Sequence, residues 1–274
     1  MSPPKSRRHA VISGGSSGIG LAIAKGLYAK GWNLSLIARD PKKLNRTQEM
    51  LCGRPHERAR VCLLSADVTD ALQSTEAGNR ATTRMGPPDL LVTSAGLAAP
   101  GHFQALPLEL HRKAMEVNYF GTLHLISALA PVMGKAGRGH IALVSSGAGL
   151  VGVFGYSAYS PSKFAVRGLA EVLRAELRPS GIGVSVVYPP DTDTPQLQEE
   201  NASKPAETRA ILGRTRTLSA ESVAKAVLLG VERNRFIIAP GWEMNTLARL
   251  HSVLLPIMNR YFDRRIARTR SVSR

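Results

Sequence analysis

A short apolar run, Ala10-Val11-Ile12, leads straight into Gly14-Gly15-Ser16-Ser17-Gly18-Ile19-Gly20. Helical spacing follows at Ile19, Ala22, Ile23, Gly26 and Leu27. This order of buried strand, glycine turn and helix leaves few possible folds. Glycines let the backbone turn sharply and come close to a bound group. The helix start behind them offers free N–H groups and a partial positive charge, which together suit a pyrophosphate. Gly14, Ser16, Ser17, Gly18, Ile19 and Gly20 are therefore candidate binding residues. An ordinary glycine-rich turn is the plain alternative for such a motif standing alone.

The rest of the chain repeats the theme. Strand-like runs at Asn33–Ala38, Val61–Leu64, Leu90–Thr93, Ile141–Val144, Val184–Val187 and Phe236–Ala239 alternate with helical patterns. The helical patterns are at Ala71–Met85, Pro107–Ala130, Ser157–Leu177 and Ala220–Glu232. Alternation of this kind predicts an α/β protein with one doubly wound parallel sheet. A length of 274 residues suits one domain with one substantial core. The expected division is a catalytic domain over residues 1–240 and a C-terminal extension over 241–274. Within the domain, 190–218 is polar, weakly periodic and too long for an ordinary connection, so it is a lid or a disordered insertion.

Open α/β sheets bind ligands at the carboxyl ends of their strands, and several residues stand there. Arg39 ends the second strand, where an arginine favours a ribose 2′-phosphate over a free hydroxyl and so argues for NADP(H). Asp40 beside it is expected to cap the helix opening at Pro41. Asp67 and Val68 close the third strand, and Asp67 reads either as an adenine contact or as a turn cap. Ser94-Ala95-Gly96 makes a tight turn after the fourth strand. Asn118 falls inside a long helical pattern among apolar neighbours, where a buried amide needs partners and could disturb the helix.

Two serines, Ser145 and Ser146, end the fifth strand, and Tyr159 and Lys163 follow four residues apart. On a helix that spacing puts the phenol and the ammonium on one face. The expected result is a tyrosine pKa below its usual value of about 10, suited to proton transfer near neutral pH. Ser146 could steady the same substrate oxygen.

The formal charge is +16, which favours an anionic partner. Basic residues are widely spread and no aromatic platform motif accompanies them, so nucleic acid is not the expected partner. Two cysteines, Cys52 and Cys62, give neither a disulfide framework nor a metal cluster, and no metal is expected. No run reaches the length of a spanning helix and no secretory signal is visible, which points to a cytoplasmic protein. After Gly241, apolar residues mix with arginines in a basic amphipathic segment bent at Pro256. It could lie on an anionic membrane as a peripheral contact, serve as a dimer arm, or cap the substrate pocket.

These residues together resemble the short-chain dehydrogenases/reductases, whose fold is of the Rossmann type. Ser13 through Gly20 matches the family's cofactor turn. Asp67, Asn118, Ser146, Tyr159 and Lys163 match its other fixed positions in order, over about residues 9–240. Two departures stand out: Thr93-Ser94-Ala95-Gly96 replaces Asn-Asn-Ala-Gly, and Pro189-Pro190 replaces Pro-Gly. The run Tyr188-Pro-Pro-Asp-Thr-Asp-Thr-Pro195, with Glu199-Glu200-Asn201 and the stretch from Lys204 to Thr208, is similar to the 3-ketodihydrosphingosine reductases. So is Phe154-Gly155 ahead of Ser157.

The resemblance implies NADPH-dependent reduction of a long-chain keto-amine lipid in sphingolipid synthesis, by a dimer or tetramer. Tyr159 would be the proton donor, Ser146 its partner at the ketone oxygen, and Lys163 the ribose ligand. Asn118 would anchor a water. The cofactor would also meet Val68, Ala95, Gly96, Pro189, Thr192 and Thr194. The lipid chain would pass Leu97, Phe103, Leu150, Val151, Val153, Phe154 and Leu197. Rival readings are a reductase of a steroid, a retinoid or another hydrophobic ketone, and an NADP-sensing regulator without turnover.

Overall fold

The computed structural model describes residues 7–213 and 217–272. Residues 1–6 of the basic leading stretch, 214–216 of the expected lid and 273–274 of the tail lie outside the described residues. The chain opens with β1 (His9–Ser13), α1 (Gly18–Ala29), β2 (Asn33–Ala38), α2 (Pro41–Leu51), β3 (Val61–Ser65), α3 (Ala71–Met85) and β4 (Leu90–Thr93). It continues with α4 (Leu108–Met115), a π-helical turn (Glu116–Phe120), α5 (Gly121–Lys135), β5 (Gly139–Val144), α6 (Tyr159–Glu176) and β6 (Ile182–Val187). The last third holds β7 (Thr192–Asp193), α7 (Pro195–Ser203), α8 (Ala206–Leu212), β8 (Leu218–Ser219), α9 (Ala220–Glu232), β9 (Ile237–Ile238) and α10 (Trp242–Val272).

Seven strands form one parallel sheet in the order β3-β2-β1-β4-β5-β6-β9, the doubly wound topology that the alternation predicts. Helices cover both faces, which is why strands such as β1 are buried at every position and read as unbroken apolar runs. One core layer lies under α1, α2 and α9. The other lies under α3, α5 and α6 and takes Met244, Leu247, Ala248, Met258 and Phe262 from α10. The strand order reverses between β1 and β4, and a crevice opens at their carboxyl ends.

One expectation is corrected here and two open readings are narrowed. The single helix at Pro107–Ala130 is two helices joined by a π turn centred on Asn118. The second helix runs through Pro131, because Leu125, Ile126, Leu129 and Met133 are buried on its inner face and offset the lost hydrogen bond. The stretch 190–218 is not a disordered insertion, since most of it is helical. Thr194 caps α7, with Pro195 in the first helical position. The tail is one helix that continues through Pro256.

Candidate active site

The glycine turn sits at the crevice. Ser13 holds it to the strand beside it, because its hydroxyl accepts from the amides of Ser94 and Ala95 at 3.2 and 3.3 Å. Ser94 Oγ donates back to the Ser13 carbonyl at 2.7 Å. The serine that departs from the family pattern thus has a local role. A Cβ on Gly20 would lie 2.3 Å from the Gly14 carbonyl and 2.5 Å from Ser94 Oγ, so no side chain fits there. Gly14, at φ +66°, would bring a Cβ to 2.9 Å from the Ser94–Ala95 backbone. Ser17 precedes α1 without capping it, and no acidic side chain stands in the first turn. The first amides of that helix are therefore free to meet an anion.

One cavity of about 830 Å³ runs from this turn to the tyrosine. Every expected cofactor residue lines it: Gly14, Ser16, Ser17, Gly18, Ile19, Gly20, Arg39, Asp67, Val68, Ala95, Gly96, Tyr159, Lys163, Pro189, Thr192 and Thr194. Lys43, which the sequence did not single out, joins Arg39 at the far end. Asp40 also borders the cavity and caps α2, as expected, accepting from the amides of Lys42 and Lys43 at 2.8 and 3.2 Å. Its negative charge is thereby engaged beside the two cations. Asp67 closes a turn by accepting from Thr69 N and Oγ1 at 3.0 and 2.9 Å while still facing the cavity.

At the other end, the Ser146 hydroxyl lies near enough to Tyr159 to act on the phenol, and it accepts from the Ala148 amide at 3.2 Å. The 3-10 turn at Gly147–Gly149 brings the serine loop onto α6. A Cβ on Gly149 would clash with Ser145 Oγ at 2.4 Å and the Lys163 carbonyl at 2.8 Å. Lys163 is buried, donates to the Val144 carbonyl at 3.0 Å, and has its Nζ 5.6 Å from the centre of the Tyr159 ring.

The expected fall in the tyrosine pKa is not found. Burial raises it, the Glu200 carboxylate and Asp191 add to the rise, and only the nearby Ser146 hydroxyl opposes them. Burial also lowers the lysine, to about 8, against a smaller opposing effect of Glu200. Helical spacing puts the two groups on one face, as the sequence implies, but it does not reveal that both are desolvated.

Asn118 lies behind the cavity wall rather than on it. Its Oδ1 accepts from Leu97 N at 2.8 Å, and its Nδ2 donates to Leu97 O at 2.9 Å and Ser162 Oγ at 2.8 Å. The amide is thus fully partnered, and the π turn is the local disturbance that a buried asparagine produces.

Of the expected apolar route, Val151, Val153 and Leu197 line the cavity. Leu97, Phe103, Leu150 and Phe154 do not. Leu150 belongs to the core, and Phe103 is exposed and packs edge-on against His111. Phe154 packs edge-on against His102. The sequence placed the apolar wall too early in the chain. Most of it comes from Ile211 and Leu212 of α8 and from Met244, Leu247, Ile257, Met258, Tyr261 and Phe262 of α10. The tail therefore caps the pocket, one of its three expected uses. Arg265 ties it down by donating to the Ala210 carbonyl at 2.9 Å.

The family model described as short chain dehydrogenase matches residues 8–205. The chain belongs to that family. It is 40% identical over 251 residues to the 3-dehydrosphinganine reductase of Danio rerio, covering 91% of this chain and 76% of the relative. It is 38% identical over 273 residues to the 3-ketodihydrosphingosine reductase of Dictyostelium discoideum, covering 93% and 81%. Among solved structures, a short-chain dehydrogenase/reductase of Burkholderia phymatum in complex with NAD is similar with a TM-score of 0.80, 26% identity, and coverage of 92% and 95%. A short-chain dehydrogenase of Sphingobium yanoikuyae in complex with NADPH gives 0.77, 26%, and coverage of 92% and 95%. One fold thus serves both nucleotides, and the side chains at the ribose end must choose between them.

Proposed function

We propose that this chain is an NADPH-dependent reductase of 3-ketodihydrosphingosine, forming dihydrosphingosine for sphingolipid synthesis. One observation carries the reading: Ser146, Tyr159 and Lys163 meet at one end of a cavity whose other end holds a glycine turn and two cations, under an apolar roof. The relatives named above carry that activity in their names.

The free amides of α1 suit the pyrophosphate, and Arg39 with Lys43 suits a 2′-phosphate. Lys163 would hold the ribose, and Pro189, Thr192 and Thr194 would flank the nicotinamide. Bound NADPH would supply a hydride to the ketone carbon. Tyr159 keeps its proton at neutral pH in this buried setting, so it is a ready donor to the ketone oxygen as charge gathers there. Ser146 donates a hydrogen bond to the same oxygen. Lys163, charged below about pH 8, favours loss of the phenolic proton once it is needed. Asn118 sets the height of α6 through Ser162, whose hydroxyl donates to the Tyr159 carbonyl at 2.6 Å.

The roof residues suit a long alkyl chain. On the outside, α10 exposes Trp242, Leu250 and Val253 among its arginines. We read this strip as a peripheral contact with an anionic membrane, where such a ketone would dissolve. Among the described residues no helix is long and apolar enough to cross a membrane. Co-sedimentation with anionic and neutral vesicles tests the contact. Substituting aspartate at Leu250 and Val253 should abolish anionic-vesicle binding, and equal binding by both forms would remove it. Self-association through the same strip would show instead as a mass change in light scattering.

The deciding assay is NADPH consumption with 3-ketodihydrosphingosine beside a short-chain ketone. Turnover of the lipid ketone far above the control is expected. Absence of turnover with the lipid ketone would refute the reading.

A further inference from the structure

The chemistry above leaves Glu200 unused. It sits on α7 and is only 8% exposed. Its Oε2 accepts from the Tyr156 hydroxyl at 3.0 Å and its Oε1 from Gln196 Nε2 at 2.9 Å. Both donors are neutral. Among the described residues no lysine, arginine or histidine stands within ion-pairing distance of it. Asp191, the other acid on this stretch of the wall, is different: it is more open and pairs with Lys204 Nζ at 3.5 Å.

Glu200 faces the same cavity as Ser146, Tyr159 and Lys163. The Tyr156 ring that holds it lies 5.5 Å from the Tyr159 ring. It is also close enough to act electrostatically on both Tyr159 and Lys163. A buried carboxylate with no cation in direct contact is costly to keep, and this one opposes ionisation of the nearby tyrosine. Two of its roughly four acceptor positions are taken by the neutral donors, and the others remain for a guest. A cation entering the cavity would supply the missing charge.

We propose that Glu200 is a specificity-determining residue, which receives the ammonium group on the carbon adjacent to the carbonyl that Tyr159 protonates. The substrate class is then an α-amino ketone rather than any long-chain ketone. This rests on the function proposed above and names the group that recognises the polar end of that substrate. Tyr156 and Gln196 act as positioning residues that hold the carboxylate beside Tyr159.

The test compares kcat/KM for 3-ketodihydrosphingosine with that for its analogue carrying hydrogen in place of the amine. Wild type, Glu200→Gln and Glu200→Asp are assayed, with NADPH binding by fluorescence as the check of folding. Wild type should favour the amino ketone. Glu200→Gln should lower the ratio of the two values by about 30-fold, the lower end of what losing one member of a buried charge pair costs. Glu200→Asp should restore part of it. Equal losses on both ketones would make Glu200 a structural prop and overturn the inference. Equal use of the two ketones by wild type would overturn it without any variant, while leaving a reductase. Failure of wild type on both ketones would overturn the function and this inference together.

Discussion

Replacing Arg39 and Lys43 by alanine should change the nucleotide preference without touching the chemistry. Both side chains are exposed on the cavity rim, at the end of β2 and in the first turn of α2. Two unit charges about 4 Å apart in water attract by about 1 kcal/mol. A ribose phosphate carries nearly two charges at neutral pH, so each cation gains about 2 kcal/mol before screening. Salt at about 0.15 M screens exposed pairs over about 8 Å and leaves about half. The double variant should therefore lose about 2 kcal/mol, seen as an NADPH KM raised about 30-fold. The NADH KM should stay within about two-fold, because no phosphate is there to lose. Initial rates at saturating ketone, with each nucleotide at low and high salt, measure this. High salt should shrink the gap between wild type and variant. A parallel rise for NADPH and NADH, or a gap indifferent to salt, would refute the reasoning.

Tyr159→Phe removes the proton donor alone, so kcat should fall by about 10²- to 10⁴-fold while NADPH still binds by fluorescence. Loss of nucleotide binding with the activity would instead place the phenol in the nucleotide site. A stability effect is expected from His140, which lies buried between strands, donates from Nε2 to Ser185 Oγ at 2.7 Å, and is held by burial at a pKa of about 4. The unfolded chain takes up that proton near pH 6.5 and the folded chain does not, so stability is full above pH 6.5 and falls as the pH drops towards 4. By pH 5 the loss should be about 2 kcal/mol in urea titrations, and it should disappear in His140→Gln. An unchanged pH slope in that variant would assign the acid sensitivity elsewhere.

The sheet was legible because its code is local. Apolar runs buried on both faces, glycines at a strand-to-helix turn and a helix stop at Gly86-Pro87-Pro88 all act within a few residues of themselves. The nucleotide side of the cavity was legible for the same reason, since its residues cluster at strand ends. The tyrosine's proton affinity was not, because its sign depends on burial and on a carboxylate 41 residues later in the chain. The roof was misplaced because amphipathic spacing in α10 shows that an apolar face exists and not what it covers. Lys43 could have been found: with Asp40 read as a cap, its side chain falls in the first turn of α2, next to Arg39. The helices of the lid were announced by Thr194-Pro195 and passed over for want of periodicity.

One amide links the two halves of this site. Leu97, just past the turn that borders the nucleotide groove, is gripped at both its N–H and its C=O by Asn118, whose remaining hydrogen bond reaches Ser162 on the tyrosine's own helix. From Ser162 one more bond ends at the tyrosine's backbone. The groove wall and the tyrosine's helix are therefore tied by a continuous chain of hydrogen bonds through two buried side chains. The wall of the groove and the helix that carries the phenol are thus held in one register from behind.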